Sequence, residues 1–190
     1  MVMLWVTSQE NEWSGCSAMS EGIRYYSTNR TLDPEKVAVP FIGTVSFRET
    51  LLMGQAPDEG LFMPERIPAI PLREIAALKD KPYAEAAMLV LEAFLPGEIP
   101  RTTLKKIVSS AYPFTVPLEK VADRKYVMRL DQGPTASFKD FAARMMARLM
   151  SAFRDPGKRL NVLVATSGDT GSAVGEAFRN PELAEVLGRE

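Results

Sequence analysis

Residues 126–150, YVMRLDQGPTASFKDFAARMMARLM, decide the fold. Tyr126, Val127, Met128 and Leu130 read as a short strand. Gly133-Pro134 marks a turn across Asp131 to Thr135. A helix then begins. Ser137 is placed to act as its N-cap, with Asp140 reaching back in the capping-box pattern. Phe138, Phe141, Ala142, Met145, Met146, Leu149, Met150 and Phe153 recur at helical spacing and form one apolar stripe. Lys139 stands in the first turn, beside Phe138 and off the centre of that stripe.

A cation at the positive end of a helix is mildly unfavourable. One reading is a surface lysine that tolerates its position. The other is an amine whose charged form is destabilised by desolvation and by the helix dipole, which leaves a nucleophile able to form Schiff bases. A lysine on a strand-to-helix turn, walled by an aromatic ring, suits an anchor for pyridoxal phosphate.

Downstream, Leu160 to Ala165 (LNVLVA) is almost wholly apolar, as expected of a buried parallel strand. Thr166 to Gly171 (TSGDTG) is a polar turn, and Ser172, Ala173, Val174, Ala177 and Phe178 open another helix. Right-handed crossover predicts both turns at the carboxyl ends of parallel strands, on one sheet edge. Neighbouring strands lie about 5 Å apart, so both turns would reach one small ligand. The second turn offers N–H groups and hydroxyls at a helix N-terminus, an anion site. An amine beside an anion cradle suits an amino acid, with its carboxylate in the cradle and its amino group on the cofactor. Ser167 is read as a ligand contact and Thr170 as a helix cap. Asp169 either approaches the ligand or shapes the turn.

Two segments here, GPTASFKDFAARMMARL and VLVATSGDTGSAVGEAF, resemble the cofactor-lysine and SGDTG motifs of threonine synthases. Upstream, RYYSTNR and VSFRETLLMGQAPDEGLFMPERIP resemble that family's N-terminal signature, although the family commonly has glycine or lysine where Glu59 stands. The resemblance runs from about Arg24 to the end of the chain. It implies an α/β protein of pyridoxal-phosphate fold type II, the tryptophan-synthase-β-like fold. A mixed, helix-rich N-terminal domain is followed by the start of a parallel three-layer αβα sheet. The expected divisions are an extension over 1–22, a threonine synthase-type N-terminal domain over 23–118 and the first part of the catalytic domain over 119–190.

By the same resemblance Lys139 is the Schiff-base and catalytic lysine, and Phe138 and Asp169 stand beside pyridoxal 5'-phosphate. Ser167, Gly168, Thr170 and Gly171 hold the substrate carboxylate. The implied reaction converts O-phospho-L-homoserine and water to L-threonine and phosphate, with the Lys139 amine, freed by substrate, as acid and base. Family members are considerably longer. The glycine-rich loop for the cofactor phosphate and the partner of the pyridine nitrogen are expected beyond Glu190.

Composition narrows the alternatives. The chain has 190 residues, 46% hydrophobic and 25% charged, with a net charge of −1. That gives no electrostatic case for nucleic acid. The single cysteine, Cys16, allows no internal disulfide and points to a reducing, cytoplasmic setting. The absence of histidine removes Ser-His-Asp chemistry and histidine-based metal sites. Val2 to Val6 is apolar but far shorter than a membrane span, and Glu10 and Glu12 argue against a transit peptide. Met19 is a candidate natural start.

The remaining segments read as scaffold. Arg24 to Thr31 predicts a strand and polar turn. Ser46 and Glu49 predict a capping box, with Gly54 ending the helix. Pro57 to Gly60 is a turn, and Leu61 to Met63 a strand stopped by Pro64. Pro71 to Tyr112 is helical by pattern: Tyr83, Ala86, Ala87, Val90 and Phe94 on one buried face, ended by Gly97, then Leu104, Ile107, Val108 and Ala111 on another. Pro113 and Pro117 bracket a linker, and the last ten residues, PELAEVLGRE, read as a solvated helix. Three rival readings stand beside the resemblance. A serine/threonine dehydratase or cysteine synthase shares the lysine and anion turn but not the RYYST and APDEGLFMPE segments. A P-loop protein is disfavoured because GDTGSA lacks the Gly-Lys-Ser/Thr ending. An inactive truncated chain would act at most as an interaction or dimerisation module.

Overall fold

A computed structural model describes residues 3–7, 22–33, 35, 37, 39–155 and 161–179. In chain order the strands and helices are β1 (Met3–Thr7), β2 (Tyr25–Ser27), β3 (Thr44–Val45), α1 (Phe47–Met53), β4 (Phe62–Pro64), α2 (Leu72–Ala76) and α3 (Tyr83–Phe94). There follow α4 (Arg101–Ala111), β5 (Leu118–Ala122), β6 (Lys125–Met128), α5 (Lys139–Phe153), β7 (Asn161–Ala165) and α6 (Asp169–Arg179). The helical expectation for the last ten residues and the candidate start at Met19 lie outside the described residues.

The helical layer follows from its apolar periodicity. α4 buries Leu104, Ile107, Val108 and Ala111, the four positions its spacing selects. They meet Met145, Leu149 and Phe153 of α5 and Met88 of α3 in the main core, which Phe47, Leu51 and Leu91 border. Burying a side chain the size of Ile107 contributes about 1.5–3 kcal/mol. α3 turns inward a face that matches the expected one only in part, with Ala87 and Phe94 bordering the core. Met88 and the following Leu95 are buried, whereas Val90 is 44% exposed. The helix packs on α4 from one side, so its inward stripe is set by that neighbour. The reverse face of α5 meets α6 through Ala143 and Ala147 against Ala173, Val174 and Ala177, small residues that let the two helices approach closely. On the apolar stripe itself, Phe138 and Ala142 are exposed.

The N-terminal sheet has the order β3-β2-β4, antiparallel throughout. Ile23, Tyr25 and Val45 form its small core, bordered by Phe41, Phe47 and Phe62. The Ser46 box opens α1 as expected: Ser46 Oγ accepts from Glu49 N at 3.3 Å, and Ser46 N donates to Glu49 Oε2 at 2.6 Å. Gly54 ends the helix at φ 76°. The Pro57–Gly60 turn closes over a buried Asp58, whose Oδ1 accepts from Ser27 Oγ at 2.5 Å and Gly60 N at 3.1 Å. A Cβ on Gly60 would collide with Ser27 Oγ, so this turn needs glycine. That agrees with reading the segment as packing.

The sheets in the second half differ from the expectation of neighbouring parallel strands. β6 pairs antiparallel with β5, Leu118 opposite Met128, with a bulge between Lys120 and Ala122. β7 pairs antiparallel with β1, Met3 opposite Ala165 and Thr7 opposite Asn161. β6 and β7 therefore belong to separate sheets. Loop closure explains the first pairing. β5 reaches β6 through the tight Asp123-Arg124 turn, while a crossover must close a much longer loop. The linker expected between Pro113 and Pro117 carries neither strand nor helix, and the hairpin follows it directly. β7 is half-exposed along its length, with Leu163 58% exposed, so it is not the buried strand its composition predicts. The N-terminal extension supplies its partner strand.

Candidate active site

Lys139 is the first residue of α5, and the turn that delivers it is held from within. Asp140 is fully buried, and its Oδ2 accepts from Thr135 N at 2.9 Å while its Oδ1 accepts from Thr135 Oγ1 at 2.7 Å. The expected capping box at Ser137 is not what forms. The residue flanking the helix is Phe138, in helical conformation and without a side-chain cap bond. Ser137 Oγ accepts only from Lys139 N, at 3.3 Å, and Asp140 reaches past it to Thr135. The reason lies in the backbone. Ala136 has φ 55°, and its N–H donates to Gly133 O at 3.0 Å, which folds Thr135 back over the helix end. A non-glycine residue in this region costs on the order of 1–3 kcal/mol and persists only where its surroundings hold it. Gly133 leaves the room required, because a Cβ there would lie 2.8 Å from Asp140 Cβ.

Lys139 Nζ stands 4.1 Å from the centroid of the Phe138 ring and 3.5 Å from Asp169 Oδ2. The lysine side chain is 28% exposed and that of Asp169 77%. Asp169 opens α6, so the helix that follows β7 brings its first carboxylate to the amine that begins α5. The two turns thus meet, as expected, although their strands lie in different sheets. The contact between α5 and α6 achieves what strand adjacency was expected to do.

Beside this pair lies an open groove of about 410 Å³. Met128, Leu130 and Asp131 form one wall, Thr135 to Phe138 the floor, and Asp169 the far rim. The volume falls in the range of small-molecule sites, about 300–1,000 Å³. Of the expected site residues, Phe138 and Asp169 line the groove, and Lys139 stands against both. Ser167 and Gly168 lie exposed in the loop before α6, and Thr170 and Gly171 in its first turn. Thr170 is past the cap position. The turn's own hydroxyl acceptor is Thr166 Oγ1, which accepts from Gly168 N at 3.2 Å. The first N–H groups of α6 have no acceptor within the helix, which leaves them free to bind an anion.

The groove wall is charged. Arg129 donates to both oxygens of Asp131, at 2.8 and 2.6 Å, and to Glu119 at 2.8 Å. Those hydrogen bonds hold the Asp131 carboxyl well below the usual carboxylate range, and the same bonds push Arg129 further up. Behind Lys139, Tyr112 Oη donates to Phe141 O at 3.0 Å within a cluster of Tyr83, Phe114 and Phe141 rings. Burial raises the Tyr112 hydroxyl pKa strongly, and Tyr83 adds to it.

Sequence reasoning missed Asp140's partner, the Arg129–Asp131 pair and the two buried arginines of α5. Arg144 donates to Ala111 O at 2.7 Å, Ser110 O at 3.0 Å and Glu176 Oε1 at 2.8 Å. Arg148 donates to Ser110 Oγ at 2.6 Å. The available signal was their spacing: Arg144 and Arg148 lie one turn apart beside Ala143 and Ala147, the α6-facing positions. Among the described residues there is no cluster of metal-ligating side chains, and no helix is long and apolar enough to cross a membrane.

Residues 24–112 match the family model described as threonine synthase N terminus. Over 143 residues the chain is 43% identical to the threonine synthase of Haemophilus influenzae, covering 75% of this chain and 33% of that one. The Serratia marcescens threonine synthase is 39% identical over the same coverage. Among solved structures, pyridoxal-phosphate-bound threonine synthase from Brucella melitensis aligns with TM-score 0.67 and 33% identity, over 83% of this chain and 33% of that chain. The Escherichia coli threonine synthase aligns with TM-score 0.66 and 28% identity, over 82% and 34%. The chain spans about a third of the length of the curated relatives it matches.

Proposed function

We propose that the chain carries the cofactor-lysine half of a threonine synthase site, because residues 24–112 match the threonine synthase N-terminal model and three quarters of the chain is similar to threonine synthases. The reading is that of a lyase of threonine biosynthesis acting on O-phospho-L-homoserine, at work in the cytoplasm. The observation that carries it is the meeting of Lys139 with Asp169 at 3.5 Å on the rim of the groove. The divisions at 22 and 118 belong to the same proposal and are supported by the extent of the family match, 24–112.

The groove and its donors suit pyridoxal phosphate: an amine, a flanking aromatic ring and a carboxylate beside a cavity of suitable size. When bound, the cofactor supplies an aldehyde for an amine and a ring that withdraws electrons from the substrate's Cα. Lys139 would hold the aldehyde end, with Phe138 against the ring and Asp169 beside it. The chain's own residues do the rest. Lys139 Nζ takes the proton from the substrate's Cα and later returns it, and Asp169 favours the charged amine between those events. Ser167, the Gly168 backbone and the first turn of α6, with Thr170 and Gly171, hold the substrate carboxylate at the helix's positive end. No histidine competes for the proton-transfer role.

The test is to incubate the 190-residue chain with pyridoxal phosphate, reduce with borohydride and map the label. A stable adduct on Lys139, lost in Lys139→Ala with the melting temperature unchanged, is expected. Label spread evenly over exposed lysines would sink the reading. Phosphohomoserine and serine, offered separately to an active preparation, distinguish a threonine synthase from a dehydratase. A second reading, an inactive interaction module, is favoured by the exposed Leu118, Val121, Tyr126 and Met128 on the β5–β6 hairpin. It predicts no Lys139 adduct.

A further inference from the structure

We infer that Asp140 is the positioning residue of this site: it sets the direction in which Lys139 leaves α5. The inference rests on the reading of Lys139 as the cofactor lysine. Asp140 is fully buried, yet its carboxylate bonds to the turn before the helix it belongs to. Burying a carboxylate is costly unless its oxygens are satisfied. Both acceptors are given to one residue, Thr135, which lies in the turn before the helix. Gly133 lies directly over the same side chain, with room for no Cβ, and Ala136 is held at φ 55° between them. The segment from Gly133 to Phe138 is therefore wound around one carboxylate.

Its second part, Thr135 to Phe138, is the floor of the groove. Lys139 and Asp140 are adjacent, so their side chains leave α5 about 100° apart. Asp140 points inward to the turn. Lys139 accordingly points out across Phe138 to Asp169. Fixing the inward residue fixes the outward one. A charge effect of Asp140 on the amine would be a different role, and substitution separates the two. Asparagine at 140 keeps an oxygen for Thr135 N and offers an N–H to Thr135 Oγ1. The geometry survives while the charge goes. Alanine removes both.

Two readouts apply to the 190-residue chain. Trace acetylation with acetic anhydride reports the reactivity of Lys139 relative to the exposed Lys105 and Lys106. Borohydride trapping with pyridoxal phosphate reports productive placement. Asp140→Ala is expected to lower the trapped adduct about tenfold and to move the Lys139 acetylation ratio about threefold or more, because small misplacements of a reacting group are costly. Asp140→Asn should restore both to within about twofold of the parent. A folded Asp140→Ala chain with both readouts unchanged overturns the inference. So does an Asp140→Asn chain as impaired as Asp140→Ala, which would place the effect in the charge. If Asp140→Ala does not fold, Thr135→Val removes the hydroxyl bond alone. A shifted Lys139 ratio then supports the role, and an unshifted one overturns it. A parent chain without a Lys139 adduct removes the proposed function, while the acetylation ratio still decides on Asp140.

Discussion

The helical core and the strands beside the groove are built on opposite terms. In the core, α3, α4 and α5 cover one another, and Ile107 and Met150 are fully buried. On the β5–β6 hairpin every strand residue is exposed, including Leu118, Val121, Tyr126 and Met128. Both regions are apolar in sequence. What separates them is whether a partner surface covers them. The helices cover one another, α4 meeting α5 across residues 112–138, and Val162 and Val164 of β7 pack against α5 and α6, whereas the β5–β6 hairpin leaves both its faces open. Single hairpins are marginal without such cover, so stability should concentrate in the helices.

The sharpest way to break that contrast is a paired substitution. Ile107→Ala, at a fully buried site, should cost about 2–5 kcal/mol in urea unfolding. Val127→Thr on the hairpin should stay within about 0.5 kcal/mol. Equal losses would mean that the hairpin is as tightly covered as the core. A smaller effect, about 2–3 kcal/mol, is expected of Arg144→Met, which strips donors from Ser110 O, Ala111 O and the Glu176 carboxylate. Its melting temperature should fall while the groove residues keep their places, and a neutral outcome would show α4, α5 and α6 held together by apolar contact alone.

The smallest effect sharpens the surface side of the comparison. The folded-state pKa of Asp131 lies below its ordinary value because Arg129 holds the charged form. The carboxylate's contribution is therefore present above the ordinary Asp pKa and is lost as pH falls through the folded value. Both partners are well exposed, so solvent screens the pair and the effect is slight. Melting curves from neutral to acid pH should show a marginally steeper loss for the parent than for Asp131→Asn. The difference should vanish in high salt.

What was legible in the sequence was local. The four buried residues of α4 follow from period alone, and the Ser46–Glu49 box closes within one turn of helix. The meeting of Lys139 with the SGDTG turn was also foreseen, though through a parallel sheet instead of the α5–α6 contact. The pairing of Asp140 with Thr135 was not legible, because it depends on Ala136 adopting a left-handed conformation that its side chain does not favour. Val90 was misplaced because the inward face of α3 is chosen by α4, not by the count of apolar residues. β5 was missed for a plainer reason. Its side chains are exposed on both faces, so no alternation marks it.

The guanidinium of Arg144 has a consequence for dissecting the chain. It holds the last carbonyls of α4, one residue short of where the N-terminal family match stops, from the helix that begins with Lys139. A segment ending at 118 would leave those carbonyls without their donor and the flank of Ile107 bare. The family match stops here, but the packing does not: residues 24–112 share their core with α5 and have no finished surface of their own at that seam.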